Sequence, residues 1–228
     1  MNPSVITDNL IYFLVGPWPQ GPLGGAALTV ILTVLSAALS GVLGLVFGVL
    51  LSVLRGPWLA VLRLGLGLFR AIPVLMLIFW IYFLAPIAFG LDVPGVGSVV
   101  AALSLIGGAY LAHTVHAGIE ALPRGQWAAA SALGLSRRQT LWLVVAPQVL
   151  PRMAPSVVNQ WIALTKDTSL AYVIGVAELS FVATQVSNRV MVYPAEIYLF
   201  VAVLYFILCA GFELAAGRLA RRYRSLPA

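Results

Sequence analysis

Residues 122–148, LPRGQWAAASALGLSRRQTLWLVVAPQ, decide how the rest of the chain is laid out. The chain is 61% hydrophobic and 9% charged, and this is its longest interruption to combine helical pattern, turn chemistry and clustered arginine. Gly134 is placed to end a first helix in the left-handed conformation, with apolar Leu135 following. Ser136 and Gln139, three residues apart, have the spacing of a capping box that opens a second helix. The spacing predicts two short helices at an angle, neither long enough to be stable alone in water. Arg137 and Arg138 fall in the first turn of the second, where the helix dipole disfavours cations, so topology or an acidic partner is expected to account for them.

Working outward, a mean hydropathy of +1.02 over 228 residues implies a polytopic membrane protein rather than a soluble domain. The net charge of +6 does not indicate nucleic acid, because the bases lie in polar gaps between apolar runs. Cys209 is the single cysteine, so no intrachain disulfide forms, and with two histidines it cannot complete a four-ligand metal site. The amino terminus lacks a basic region and a cleavage site, and is expected to be retained. Pro17, Pro19 and Pro22 break helix potential there, making residues 1–25 an external or interfacial segment.

No charge occurs between Asp8 and Arg55, and residues 26–54 form a first span longer than the ~20 residues a bilayer requires. Along it Ser36, Ser40, Gly44, Gly48 and Ser52 recur every fourth residue, a ridge that admits close approach of another helix, moving or static. Arg55, Arg63 and Arg70 mark a polar gap, and residues 71–91 make span two, with Pro73 near its start. Span three covers about 96–121. A fourth apolar region, 155–179, is interrupted by Lys166, Asp167, Thr168 and Ser169, and a fifth covers 197–217. Placing the arginine-rich gaps inside leaves Asp8, Asp92, Glu178, Arg189 and Glu196 outside. The expected fold is therefore all-α and polytopic, with five transmembrane helices, the amino terminus out, the carboxyl terminus in, and a cytoplasmic two-helix loop between spans three and four.

A phosphate-binding loop needs a lysine after a glycine-rich turn, and the only lysine, Lys166, follows Ala-Leu-Thr. No nucleophile elbow, zinc helix or catalytic carboxylate pair is present either, which excludes the common enzyme classes. Ionisable groups within spans mark function by default. His113 and His116 share a face with Tyr110 and Glu120, where two readings stand: lining a polar pathway, or pairing with Glu120. Lys166 and Asp167 lie roughly 16 Å from the inner surface, near the midplane. An interrupted helix there lines a cavity or is buried in protein, so Asn159, Lys166, Asp167, Thr168 and Ser169 are candidates for a solute pathway or gate, with a buried Lys166–Asp167 pair as the structural counterpart.

These words together resemble the membrane permease subunit of a type I ABC importer, in the polar amino acid branch. The family's cytoplasmic loop has the form EAA-x3-G-x9-I-x-L-P, and Ala128-Ala129-Ala130, Gly134 and Val144-Val145-Ala146-Pro147 match its spacing. FRAIP at 69–73, GIEALP at 118–123, LTKDTSL at 164–170 and IGVAEL at 174–179 also fit the branch. Ala128 stands where the family usually has Glu, His113 where relatives commonly have Glu, and His116 where they often have Arg. The resemblance implies a transmembrane domain over 26–220, a loop at 122–148 and a tail at 221–228. It implies that Gln126, Ala128, Ala129, Gly134, Ser136, Arg137, Arg138 and Gln139 face an ATPase dimer, with Gln126, Arg137 or Arg138 compensating for the missing carboxylate. This chain would bind no cofactor, since ATP and Mg belong to the partner. A second permease copy or paralogue, an extracytoplasmic solute-binding protein, membrane lipid and a polar amino acid complete the implied set, in a bacterial inner membrane. A stand-alone secondary transporter or channel using the midplane charges is the alternative.

Overall fold

The computed structural model describes residues 4–224 and, within them, is all helical apart from one isolated bridge between Gly25 and Glu178. The amino-terminal segment folds as α1 (Ser4–Asp8) and α2 (Leu10–Val15), ahead of the proline turn. It is docked, because Phe13 is fully buried and its ring meets Phe200 edge-on at 5.3 Å. The first span, α3 (Gly25–Val53), falls within a residue of its expected limits.

At the centre α3 lies along α7 (Gly95–Glu120), the expected third span. The four-residue ridge is what lets them meet: Ser36, Ser40, Gly44 and Gly48 are all buried. A Cβ added at Gly44 would sit 2.4 Å from Leu111 Cβ, and one at Gly48 would sit 2.3 Å from Val115 Cβ. Only glycine admits that approach, since apolar lipid supplies little drive for helices to associate and close packing must do so.

The gap carrying Arg55, Arg63 and Arg70 is not a loop. It is α4 (Pro57–Ala71), an amphipathic helix that buries Leu66. Proline at its first position lacks the N–H that a helix start leaves unpaired anyway. Span two then departs from expectation, as α5 (Val74–Phe79), a π turn (Trp80–Leu84) and α6 (Ala85–Phe89), bent by 103° relative to α4. The bend falls at Ile72, whose extended backbone is what a residue before proline adopts. Four helices among the described residues are thus long and apolar enough to cross a membrane, and five spans result when the bent pair counts as one.

The decisive loop begins as read. After α8 (Arg124–Ala132), Gly134 is left-handed (φ 77°), the Leu135 N–H donates to Ala130 O at 3.1 Å and the Gly134 N–H to Ser131 O at 3.0 Å, a Schellman turn. Ser136 and Gln139 form both halves of the capping box on α9 (Arg137–Thr140). The second helix, however, is not short. Through a π turn (Leu141–Val145) it continues as α10 (Ala146–Asp167) and a 3-10 segment (Thr168–Ile174), a single 38-residue rod. The prolines at 147, 151 and 155 do not end it. Each only removes the N–H that would meet the carbonyl four residues earlier, and their spacing of four keeps those carbonyls on one face. The fourth apolar region therefore starts at Arg137, and the expected break at Lys166–Asp167 is a tightening to 3-10 geometry that closes at left-handed Gly175. A further helix, α11 (Leu179–Val190), precedes the last span, α12 (Pro194–Arg224). Residues 225–228 of the expected tail lie outside the described residues.

Candidate functional site

Three places bring functional side chains together. At the loop end of the α3–α7 pair, Arg137 donates to Ser52 O at 3.4 Å. Ser52 is in the last turn of α3, where carbonyls lack helical partners and the dipole favours a cation. This answers why an arginine sits at the unfavourable end of α9: it serves the favourable end of another helix. The Ser52 hydroxyl donates to Gly48 O at 3.1 Å and lies 2.9 Å from His116 Nδ1, so His116 is engaged by α3 and not by Glu120. Gln126 accepts from Gln148 Nε2 at 3.3 Å, bracing α8 against α10 on the helix that carries Ala128 in place of a carboxylate. Ser136 and Gln139 are consumed in their own cap, while Ala128, Ala129, Gly134 and Arg138 are exposed beside Leu133, Trp142 and Leu143. Beneath this loop lies a groove of about 790 Å³.

The second place is a pocket of about 440 Å³ at the bend between α4 and α5. The bend supplies Arg70 and residues 71–74, α7 supplies Ile106 and Tyr110, and α10 supplies Gln160, Ala163 and Asp167. The Arg70 guanidinium lies 5.2 Å from the Tyr110 ring centroid, over its face. Among the described residues neither Arg70 nor Asp167 has an ion-pair partner, although Arg70 rests on Tyr110 and Asp167 feels the charge of Lys166, so the pocket presents a guanidinium and a carboxyl group outside any close ion pair. Gln160 and Asp167, two turns apart, share a helix face.

Of the residues expected on the pathway, Asp167 alone lines this pocket. Lys166 is exposed and Asp167 half-buried, so a buried Lys166–Asp167 pair is not what forms. Consecutive helical residues point about 100° apart, which keeps the two from a close ion pair while leaving Asp167 within the field of Lys166. Asn159 is exposed, Thr168 is buried with its hydroxyl on Thr165 O at 2.7 Å, and Ser169 is half-buried. His113, one turn from Tyr110, is half-buried with Nε2 unpartnered. Arg70, read from sequence as topogenic charge, is the missed member. Its signal was its place two residues before the helix-breaking Ile72–Pro73 step.

The third place was not expected as a site. Glu178, read from sequence only for its side of the membrane and its place in the IGVAEL word, is fully buried between α11, α12 and the start of α3. It caps α11, accepting from the Ser180 and Phe181 N–H groups at 2.9 Å each, and accepts from the Tyr205 hydroxyl at 2.7 Å. Leu179 N–H donates to Thr29 Oγ1 at 3.2 Å, tying the same turn to α3. Burial pushes the Glu178 carboxyl up to about 7, against the pull of the Ser180 N–H, the Tyr205 hydroxyl and the Phe181 N–H.

Residues 40–225 match the family described as the binding-protein-dependent transport system inner membrane component. A probable glutamine ABC transporter permease protein GlnP of Bacillus subtilis is 37% identical over 155 residues, covering 67% of this chain and 71% of that protein. A glutamate/aspartate import permease protein GltK of Escherichia coli is 32% identical over 192 residues, covering 75% and 85%. Among solved structures, an amino acid ABC transporter crystallised with histidines superposes with a TM-score of 0.83 at 25% identity, over 97% of this chain and 99% of that one. The fold also matches an inward-facing MetNI methionine ABC transporter, with a TM-score of 0.75 at 23% identity, covering 86% of this chain and 93% of that one. The family match spans most of the chain, including the Gly134 turn, the long rod and the Asp167 pocket, and so this chain belongs to the binding-protein-dependent transport system inner membrane components.

Proposed function

We propose that this chain forms the transmembrane pathway for a polar amino acid in an ATP-driven importer of the bacterial inner membrane. The observation that carries the reading is the pocket itself: an unpaired guanidinium and an unpaired carboxylate, Arg70 and Asp167, face one cavity beside Tyr110 and Gln160. That pairing suits a zwitterion, the α-carboxylate on Arg70 and the α-ammonium on Asp167. The 3-10 segment from Thr168 borders the same site, and Lys166, Asn159, Ser169, His113 and His116 act along the path to and from it. The relatives named for glutamine and for glutamate and aspartate support a polar amino acid as solute.

In this reading the amino terminus is outside and the carboxyl terminus inside, since Arg124, Arg137, Arg138 and Arg152 then obey the positive-inside rule. The loop at 122–148 meets an ATPase dimer through the exposed surface around Ala128, Ala129 and Gly134, and ATP and Mg are held by that partner. A second permease chain completes the pathway, and a binding protein delivers solute outside. The test is to purify the chain with its ATPase and binding protein, reconstitute it in proteoliposomes and measure uptake across a panel of labelled amino acids. ATP-dependent uptake of one polar amino acid is expected. Proton- or sodium-driven uptake by the chain alone would sink the proposal in favour of a stand-alone transporter.

A further inference from the structure

We propose that the groove under the 122–148 loop is a binding site for the headgroup of an anionic phospholipid. Its rim carries Arg124, Arg137 and Arg138 against one acid, Glu120. Arg124 and Arg138 have no partner among the described residues, and Arg137 has only the Ser52 carbonyl. Three guanidiniums with one carboxylate among them leave a net positive rim awaiting an anion.

The floor is apolar. Ile119 and Leu141 are buried at its base, and Val49 lines it where α3 and α7 end. Trp127 and Trp142 also line it, beside the hydroxyls of Ser52, Ser131 and Thr140, and indoles of this kind settle at the headgroup level of a bilayer. A volume of about 790 Å³ is that of a site for an organic molecule and far exceeds what a bare phosphate needs. The lining thus combines guanidiniums, two indoles and aliphatic side chains, the groups that the phosphate and the glycerol and acyl parts of a phospholipid would meet. Basic pockets between span ends on the cytoplasmic side take such headgroups. The assignment rests on the orientation given above, which puts this end of the spans at the inner leaflet. Because the same groove is walled by the loop and by the ends of α3 and α7, its occupant sets how tightly the loop sits on the spans.

The experiment uses the permease purified with its ATPase subunit, and reads retained lipid by native mass spectrometry after exchange from nanodiscs of phosphatidylglycerol or phosphatidylcholine. Retention of phosphatidylglycerol about tenfold above phosphatidylcholine is expected, falling to parity in the Arg124→Gln/Arg138→Gln double variant. The Arg124→Lys/Arg138→Lys variant keeps the charge and is expected to keep most of the preference, which separates a lost site from a misfolded chain. Equal retention of the two lipids by the unmodified complex overturns the proposal, as does a preference unchanged in the Gln variant. Displacement of the lipid by millimolar inorganic phosphate also overturns it, since that identifies a small-anion site. Lipid retention is read without transport, so a complex that prefers phosphatidylglycerol but imports nothing fails the importer reading alone, and one that imports without lipid preference fails this proposal alone.

Discussion

The Tyr205 hydroxyl donates to Glu178 Oε2 at 2.7 Å, joining the last long helix to a fully buried carboxyl that caps α11. Burial raises this acid from 4.5 to about 7, so the fold prefers its protonated form. The stabilisation is complete below 4.5 and is lost as pH rises through 7, a swing of about 3 kcal/mol at most. The thermal midpoint of the detergent-purified chain is expected to fall between pH 5 and pH 8. Glu178→Gln, which cannot ionise, is expected to flatten that slope, and an unchanged slope would show that another group titrates.

The α3–α7 contact makes a sharper prediction at Gly48. Its added Cβ would lie 2.3 Å from Val115 Cβ, so Gly48→Ala must push the two central helices apart, at a cost of about 1–3 kcal/mol. Gly41→Ala is the control, since its nearest neighbour is Trp161 Cζ2 at 3.8 Å. Thermal unfolding should separate the two; equal midpoints would contradict the close approach.

At Gly134 nothing lies within 4 Å of an added Cβ, and only the backbone angle of +77° resists substitution. Gly134→Val is expected to strain the turn by about 1–3 kcal/mol, leave membrane insertion normal and reduce solute-stimulated ATP hydrolysis in the reconstituted complex. Gly134→Asn, which tolerates the left-handed region, should restore most of the coupling. Full coupling in the Val variant argues against loop docking.

For the pocket, Asp167→Asn and Arg70→Gln are each expected to lower uptake at least tenfold, about 1.4 kcal/mol or more, while co-purification with the ATPase is retained. Uptake at the unmodified rate with either variant removes the zwitterion assignment.

Much of this was legible beforehand, and for stated reasons. Long charge-free runs fixed α3 and α7 to within a residue, and the Gly134 and Ser136–Gln139 turn chemistry is local, so no tertiary knowledge was needed. The fate of the second loop helix was not legible, because proline at every fourth position reads as a helix end in water yet is absorbed within a long apolar helix. α4 was hidden by Arg63 and Arg70, which read from sequence as a polar gap between spans. Arg70 and Asp167 are 97 residues apart, and only the bend at Ile72 and Pro73 sets them on one cavity. The burial of Glu178 was not legible, because its Tyr205 donor on α12 lies 27 residues further along the chain.

The uninterrupted course from Arg137 to Asp167 has a mechanical meaning. Thirty-one residues of helix make a shaft roughly 46 Å long, with the loop at one end and the Asp167 pocket at the other. A pull on the loop needs no relay of side chains to be felt at the cavity. In the proposed importer it would arrive as tilt, so the timing of solute release would be set by the stiffness of one helix and by where along its length the neighbouring helices act as its fulcrum.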